Sequence, residues 1–122
     1  MIQGLRTVIY PVKDLAAAKD WYVKVFQTEP YFDQPFYVGF NIGGFELGLL
    51  PDGATPGKAG SLAYWGVEDI EAEVKRITAL GATIHGDIQD VGEGIQTVEL
   101  ADPFGNLLCL IYNQHFDVKA VR

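Results

Sequence analysis

The chain has 122 residues, and its 9 Lys and Arg residues against 16 Asp and Glu residues give a formal net charge of −7 with both His neutral. Binding to nucleic acid through phosphates needs a basic surface, so this acidic composition excludes nucleic acid as an expected partner. No apolar stretch of the sequence approaches the roughly 20 residues that span a bilayer, and the N-terminal residues lack a leader-like pattern. We therefore expect a cytoplasmic protein with no membrane partner.

The first half of the chain predicts one strand, one helix and three further strands. Residues 6–12 favour a strand, and Asp14 is expected to cap a helix whose apolar side chains recur at helical spacing. Three strands follow, at residues 29–33, 37–42 and 45–50. The glycine pair Gly43-Gly44 predicts a two-residue hairpin between the last two, because both positions tolerate a positive φ.

The second half predicts the same series of elements. A strand at residues 61–67 precedes a helix that Asp69 is expected to cap and Gly81 to end in the left-handed conformation. Three strands follow, at residues 82–88, 95–100 and 107–112. The last two are joined by the turn-forming sequence Asp-Pro-Phe-Gly-Asn at residues 102–106.

The two halves also share a sequence repeat. Residues 12–17 read Val-Lys-Asp-Leu-Ala-Ala, and 55 positions later residues 67–72 read Val-Glu-Asp-Ile-Glu-Ala. A repeat of this kind indicates two similar supersecondary units. We expect one domain over residues 1–122, with its first βαβββ module at about 4–51, its second at about 60–113 and a tail at 114–122.

Three features together resemble the vicinal oxygen chelate superfamily, which includes glyoxalase I, bleomycin resistance proteins, extradiol dioxygenases and fosfomycin resistance proteins. They are the doubled βαβββ order, the Val-x-Asp-Leu start of the first helix with Trp21-Tyr22 within it, and the Asp102-Pro103-x-Gly105-Asn106 turn before an apolar strand. The resemblance covers about residues 4–113 and is strongest to the metal-free, bleomycin-resistance-like branch.

The resemblance implies an α+β fold in which the two modules form a cup-shaped mixed sheet, with the helices outside and the ligand inside the cup. It also implies a homodimer whose halves pair across subunits. Among the aromatic residues, Trp21 and Tyr22 are candidates for an interface.

Metal-using members of that superfamily hold an ion at four strand positions, which are equivalent in pairs between the modules. Aligned by the two motifs, those positions carry Thr7, Leu62, Glu46 and Cys109. Only Glu46 is a good ligand for a hard metal, whereas a catalytic zinc site usually has about three protein ligands. We expect no metal and no other cofactor. His85 and His115 match none of the four positions and are expected to be structural or surface residues.

Alternation along each strand predicts which side chains line the cup. With Thr7 and Glu46 facing inward, as the resemblance implies, the candidate ligand-binding residues are Thr7, Tyr37, Asn41, Glu46, Tyr64, Glu99 and Cys109. A few polar groups among apolar ones are typical of a ligand pocket. A solvated sheet face gives the same pattern, and the apolar run around Cys109 also favours a small buried side chain.

The sequence leaves two main functions open, beside a purely structural or protein-interaction domain that no motif supports. The favoured one is a metal-free protein that sequesters or senses a small organic ligand, with a planar, cationic compound best suited to an acidic face carrying tyrosines. The alternative is a lyase, isomerase or dioxygenase acting on a small oxygenated substrate, with Glu46 as metal ligand or general base. The sequence assigns no catalytic residue.

Overall fold

The computed structural model describes residues 1, 5–51 and 62–115, which form two β-sheets and two α-helices. In chain order the elements are β1 (Thr7–Pro11), α1 (Leu15–Phe26), β2 (Phe32–Gln34), β3 (Tyr37–Ile42), β4 (Phe45–Leu50), β5 (Tyr64–Gly66), α2 (Ile70–Ala79), β6 (Thr83–Asp90), β7 (Gln96–Ala101) and β8 (Leu107–Tyr112). The order βαβββ occurs twice, so the predicted α+β fold is confirmed. The predicted connection between the halves and most of the predicted tail lie outside the described residues.

The two sheets have the same connectivity. Their strand orders are β1-β4-β3-β2 and β5-β8-β7-β6. In each sheet the strand that comes first in the chain, β1 or β5, is parallel to the neighbouring β4 or β8, and the remaining pairs are antiparallel. The hairpin between β3 and β4 turns at Gly43 and Gly44, whose φ angles are +61° and +94°. The predicted hairpin and its register are therefore confirmed.

Local sequence rules account for both helices. The carboxylates of Asp14 and Asp69 accept hydrogen bonds from the amides of Ala17 and Ala72, each at 3.1 Å. These contacts satisfy amides that have no partner within the helix. Gly81 follows α2 with a φ of +116°, as predicted. No helix in the described ranges combines the length and apolar character that a bilayer span requires.

Five of the eight predicted strands have different bounds in the structure, and two of these differences have a local cause. The strand predicted at residues 29–33 is β2, Phe32–Gln34, because Pro30 has no amide to donate to a sheet ladder. The strand predicted at residues 82–88 extends to Asp90, and its pairing with β7 shifts register on either side of Gly86. Such irregular pairing bends a strand, and no alternation rule reveals it.

The core lies between the sheets and the two helices. Strand side chains on the face opposite to the predicted inner residues are buried, including Tyr10, Val12, Leu47, Leu49, Val98, Leu100, Leu108 and Leu110. Trp21 and Tyr22 also belong to this core, so the expectation that they lie at an interface is wrong. Tyr10 and Trp65 are separated by the same 55 positions as the repeat, and the Trp65 indole donates to the Tyr10 hydroxyl at 3.0 Å.

The helices of the two modules contact each other reciprocally. Trp21 Nε1 in α1 donates to the carbonyl of Leu80 at 2.8 Å, and Arg76 Nη2 in α2 donates to the carbonyl of Val25 at 2.7 Å. Both donors and both acceptors are related by 55 positions. The modules therefore meet around a local two-fold relation, as in an isologous interface between subunits.

Candidate functional site

Three polar residues lie side by side on the face of the first sheet that points away from α1, which we call the inner face. The carboxylate residue Glu46 of β4 pairs with Thr7 of β1 on one side and with Asn41 of β3 on the other. The resemblance had implied that Thr7 and Glu46 face inward, and the hairpin register had then predicted Asn41 beside Glu46. Asn41 uses its side-chain oxygen to accept the amide of Gly44 at 2.8 Å, so this oxygen holds the hairpin turn.

Three hydroxyl groups converge on the carboxylate of Glu46. Thr7 Oγ1 and Tyr37 Oη each donate to Oε1 at 2.9 Å, and Tyr31 Oη donates to Oε2 through a short hydrogen bond. Strands β1, β3 and β4 and the segment before β2 thus each contribute one group. The carboxylate is held in one orientation by donors on both of its oxygens.

The hydroxyl donors change how these groups ionise. The pKa of Glu46 is lowered, mainly by the hydrogen bond from Tyr31 with further contributions from Tyr37 and Thr7, while partial burial opposes the shift. Burial and the Glu46 hydrogen bond raise the pKa of Tyr37, and the Glu46 hydrogen bond raises the pKa of Tyr31. At neutral pH the cluster therefore holds one fixed negative charge and neutral tyrosines.

Two glycines make room for this cluster. Gly39 and Gly48 pair across β3 and β4. A Cβ at position 39 would lie 2.7 Å from Glu46 Oε2 and 3.3 Å from a ring carbon of both Tyr31 and Tyr37. A Cβ at position 48 would lie 2.6 Å from Tyr37 Cζ. The tyrosine rings can lie over the sheet only because these positions carry no side chain.

The two tyrosines that donate to Glu46 belong to a group of four aromatic residues, Tyr31, Phe32, Phe36 and Tyr37, which we call the aromatic patch. The ring centroid of Phe32 lies 6.0 Å from that of Phe36 and 6.1 Å from that of Tyr37. Tyr31 is 65% exposed and Phe36 63% exposed. Such a grouping of exposed rings is typical of a binding surface.

Sequence reasoning had not assigned Tyr31 to the site. It lies before the edge strand, and its amide donates to the carbonyl of Gly39 at 3.0 Å. Its hydroxyl then reaches Glu46 across Gly39. The available sequence clue was Gly39, since a glycine inside a strand often marks a close approach by another group, and the preceding predicted strand contains Tyr31.

The remaining predicted residues lie together on the second sheet. Cys109 of β8 pairs with Tyr64 of β5 on one side and with Glu99 of β7 on the other. Tyr64 is exposed, whereas Cys109 is fully buried, as its apolar surroundings had also predicted. Burial and the neighbouring Glu99 raise the pKa of Cys109 to about 11. A protonated, buried thiol is a poor nucleophile and a poor metal ligand.

The histidines hold peripheral positions. His85 Nε2 lies 3.9 Å from a Glu99 carboxylate oxygen, and His115 Nε2 lies 3.0 Å from the carbonyl oxygen of Glu93. Among the described residues, no hydrogen bond or ion pair joins the Glu46 cluster to Tyr64, Glu99 or Cys109. The structure therefore separates the seven predicted residues into two groups, one on each sheet.

The structure corrects one expected equivalence between the modules. Equivalent hydrogen bonds follow the first strand of each module. In the first module the amide of Val12 donates to the carbonyl of Leu50 at 3.0 Å, and in the second the amide of Val67 donates to the carbonyl of Ile111 at 2.9 Å. Four residues before each acceptor lie Glu46 and Leu107, so these two are counterparts. The expected pairing of Glu46 with Cys109 was wrong, and Cys109 corresponds to Gly48.

This correspondence bears on metal binding. The counterparts of Thr7 and Glu46 in the second module are Leu62 and Leu107, neither of which has a donor atom. Nowhere in residues 5–51 and 62–115 do three His, Cys, Asp or Glu side chains come together as a set of metal ligands. The Glu46 oxygens already accept three hydroxyls. The residues at these positions do not fit the ion that metal-using superfamily members hold.

Comparisons with known proteins agree with the architecture. A protein-family model described as Glyoxalase/Bleomycin resistance protein/Dioxygenase superfamily matches residues 4–110. No curated protein gives a significant match. Among solved structures, a fosfomycin resistance protein from Listeria monocytogenes superposes with a TM-score of 0.79 at 19% identity, covering 94% of this chain and 97% of that one.

Two further structures are similar to the same extent. A lactoylglutathione lyase from Agrobacterium tumefaciens gives a TM-score of 0.78 at 20% identity, with 96% of this chain and 100% of the other covered. A glyoxalase-related enzyme from Fulvimarina pelagi gives 0.78 at 19% identity, with 98% and 95% covered. At these identities the likeness extends to the fold alone.

Proposed function

Because the chain belongs to the glyoxalase/bleomycin resistance protein/dioxygenase superfamily, we propose that it binds a small organic molecule on the inner face of its first sheet, without a metal. The proposed ligand is planar and cationic, and the proposed role is sequestration or sensing in the cytoplasm. The observation that carries this proposal is the Glu46 carboxylate, ionised and held by three hydroxyls beside the aromatic patch.

The geometry supports recognition more than chemistry. Fixed, preorganised polar groups among exposed aromatic rings supply orientation and charge at little entropic cost. A general base works best when its pKa lies near the operating pH, and the hydroxyl donors move the pKa of Glu46 the other way. The alternative of a lyase, isomerase or dioxygenase that uses Glu46 as base or metal ligand is therefore the weaker proposal.

We also propose that a second copy of the chain covers the inner faces. Ile9, Leu62 and Tyr64 are apolar or aromatic residues there, and they are 43%, 40% and 41% exposed. Burying such side chains against a partner removes apolar surface from water. In this proposal the ligand lies between sheets of two subunits.

Substituting Glu46 tests the proposed function. Glu46→Gln keeps the size of the side chain and removes its charge, so we expect affinity for planar cationic aromatic compounds to fall about tenfold. Isothermal titration calorimetry against a panel of such compounds measures the change. The matched control is Glu71→Gln, which removes one exposed charge from α2 and is expected to leave affinity unaltered. Equal affinities for Glu46→Gln and the unsubstituted protein would contradict the proposal.

The pH dependence of binding gives a second prediction. Since the folded-state pKa of Glu46 lies below its ordinary value of 4.5, the carboxylate stays charged at that pH. Affinity for a permanently charged ligand should therefore persist to pH 4.5 and decline only as pH falls through the lowered pKa. Removing the main donor with Tyr31→Phe should move the decline to higher pH. Titrations at stepped pH, with circular dichroism to verify folding, measure both; identical profiles would count against the hydroxyl network.

A further inference from the structure

We infer that the Glu46 site selects a cation that has no N–H donors, namely a quaternary ammonium group on a hydrophobic molecule, over primary amines and guanidinium groups. This inference rests on the proposed function and narrows its ligand class. Two observations support it. The Glu46 carboxylate can accept few further hydrogen bonds, and the rings of Tyr31 and Tyr37 lie beside it.

The hydrogen-bonding capacity of Glu46 is nearly filled. An ionised carboxylate has about four lone-pair sites for hydrogen bonds. Among the residues that the structure describes, Thr7 and Tyr37 donate to Oε1 and Tyr31 donates to Oε2. About one acceptor site therefore remains, on Oε2. The negative charge is still present, because accepting hydrogen bonds stabilises the ionised form without neutralising it.

Cations differ in what they require from such a site. A primary ammonium has three N–H donors and a guanidinium five, and each donor taken from water needs a new acceptor. The Glu46 carboxylate offers too few acceptors for either group and cannot receive a bidentate guanidinium. A quaternary ammonium has no N–H group, is weakly hydrated and loses no hydrogen bond when it enters.

The aromatic rings provide what a quaternary ammonium does require. The rings of Tyr31 and Tyr37 approach the same point above Gly39, and Glu46 Oε2 lies beside that point. Phe32 packs next to Tyr37 and Phe36 next to Phe32. Ring faces attract cations, and such aromatic cages are a known way to recognise quaternary ammonium groups. One charge and two tyrosine rings thus converge above Gly39, and the two phenylalanine rings extend this aromatic surface.

Three matched probes test the inference on the full-length protein at pH 7. They are benzyltrimethylammonium, benzylamine, which is singly charged at this pH, and neopentylbenzene, the uncharged carbon analogue of the first. We expect benzyltrimethylammonium to bind at least about fivefold more tightly than either of the others, as measured by calorimetry or by ligand-observed NMR. We also expect Glu46→Gln to remove this preference.

Two substitutions at the exposed Tyr31 separate the hydroxyl from the ring. Tyr31→Phe keeps the ring and returns an acceptor site to Oε2, so benzylamine should bind about two- to tenfold more tightly than it does to the unsubstituted protein. Tyr31→Leu removes the ring, so benzyltrimethylammonium should bind about two- to fivefold more weakly. Circular dichroism verifies that both variants are folded.

The outcomes distinguish this inference from the proposed function. If benzylamine or neopentylbenzene binds as tightly as benzyltrimethylammonium while planar cationic compounds still require Glu46, the inference is wrong and the proposed function stands. If no cation in either set shows an affinity that depends on Glu46, the proposed function itself is wrong. A selectivity that Tyr31→Phe leaves unchanged would also overturn the inference, because it removes the role assigned to the filled acceptor sites.

Discussion

Replacing Asp102 with alanine is expected to lower the free energy of unfolding by about 3 to 5 kcal/mol. The side chain is buried, and its oxygens accept the amide of Phe104 at 2.9 Å, the amide of Asn106 at 2.8 Å and the hydroxyl of Tyr22 at 2.5 Å. Alanine leaves these three donors without an acceptor in a dry environment. Since a domain is stabilised by only about 5–15 kcal/mol, the loss is large.

Urea denaturation followed by tryptophan fluorescence measures this loss. Asp20→Ala is the matched control, because Asp20 is exposed on α1 and its removal should change stability by no more than about 0.5 kcal/mol. Tyr22→Phe removes the hydroxyl that is one of the three donors, and it should lower the free energy of unfolding by about 1 kcal/mol. A cost for Asp102→Ala no greater than that of Asp20→Ala would refute the structural role of the turn.

The turn that contains Asp102 connects the two modules. Its carboxylate holds the turn itself and binds the first helix through Tyr22, and Asn106 Nδ2 donates to the carbonyl of Pro11 at the end of β1. The Asp-Pro-x-Gly-Asn motif therefore fixes β8 relative to β1 and α1. Its role in this chain is structural, and the proposed ligand site lies elsewhere, on the inner face of the first sheet.

Much of this fold was predictable because the rules that govern it are local. Asp14 and Asp69 cap helices through contacts three residues away. The pairing of Asn41 with Glu46 follows from a two-residue turn and the period of a strand. The inner position of Glu46, the central residue of the candidate site, was instead implied by the family resemblance, and the hairpin register then placed Asn41 beside it.

The rest of the site depends on geometry that alternation does not encode. Tyr31 lies outside any regular strand, and its long side chain reaches Glu46 across a glycine. The counterpart of Glu46 was missed because equivalent residues are 55 positions apart at Val12 and Val67 but 61 apart at Leu50 and Ile111. The second module therefore has additional residues between these two points. The motifs used for the alignment do not show where those residues are inserted.

Introducing a methyl group at Gly48 is expected to disrupt the site and destabilise the protein together. In Gly48→Ala the new Cβ would lie 2.6 Å from Tyr37 Cζ and 2.8 Å from Ile9 Cδ1. Tyr37 must then leave its position over the sheet and its hydrogen bond to Glu46. We expect stability to fall by about 1–3 kcal/mol, the usual cost of overpacking, and affinity for cationic ligands to fall as well.

A double-mutant cycle attributes this effect to Tyr37. The two atoms nearest to the new methyl group belong to Tyr37, and the next is the flexible end of Ile9, so Gly48→Ala should cost less in a Tyr37→Ala background than in the unsubstituted protein. Gly66→Ala is the control and should be near neutral, since among the described residues, apart from its two chain neighbours, nothing lies within 4 Å of a Cβ at that strand position. If Gly48→Ala costs the same in both backgrounds, Tyr37 does not occupy the space above Gly48. The arrangement that orients Glu46 would then have to be different.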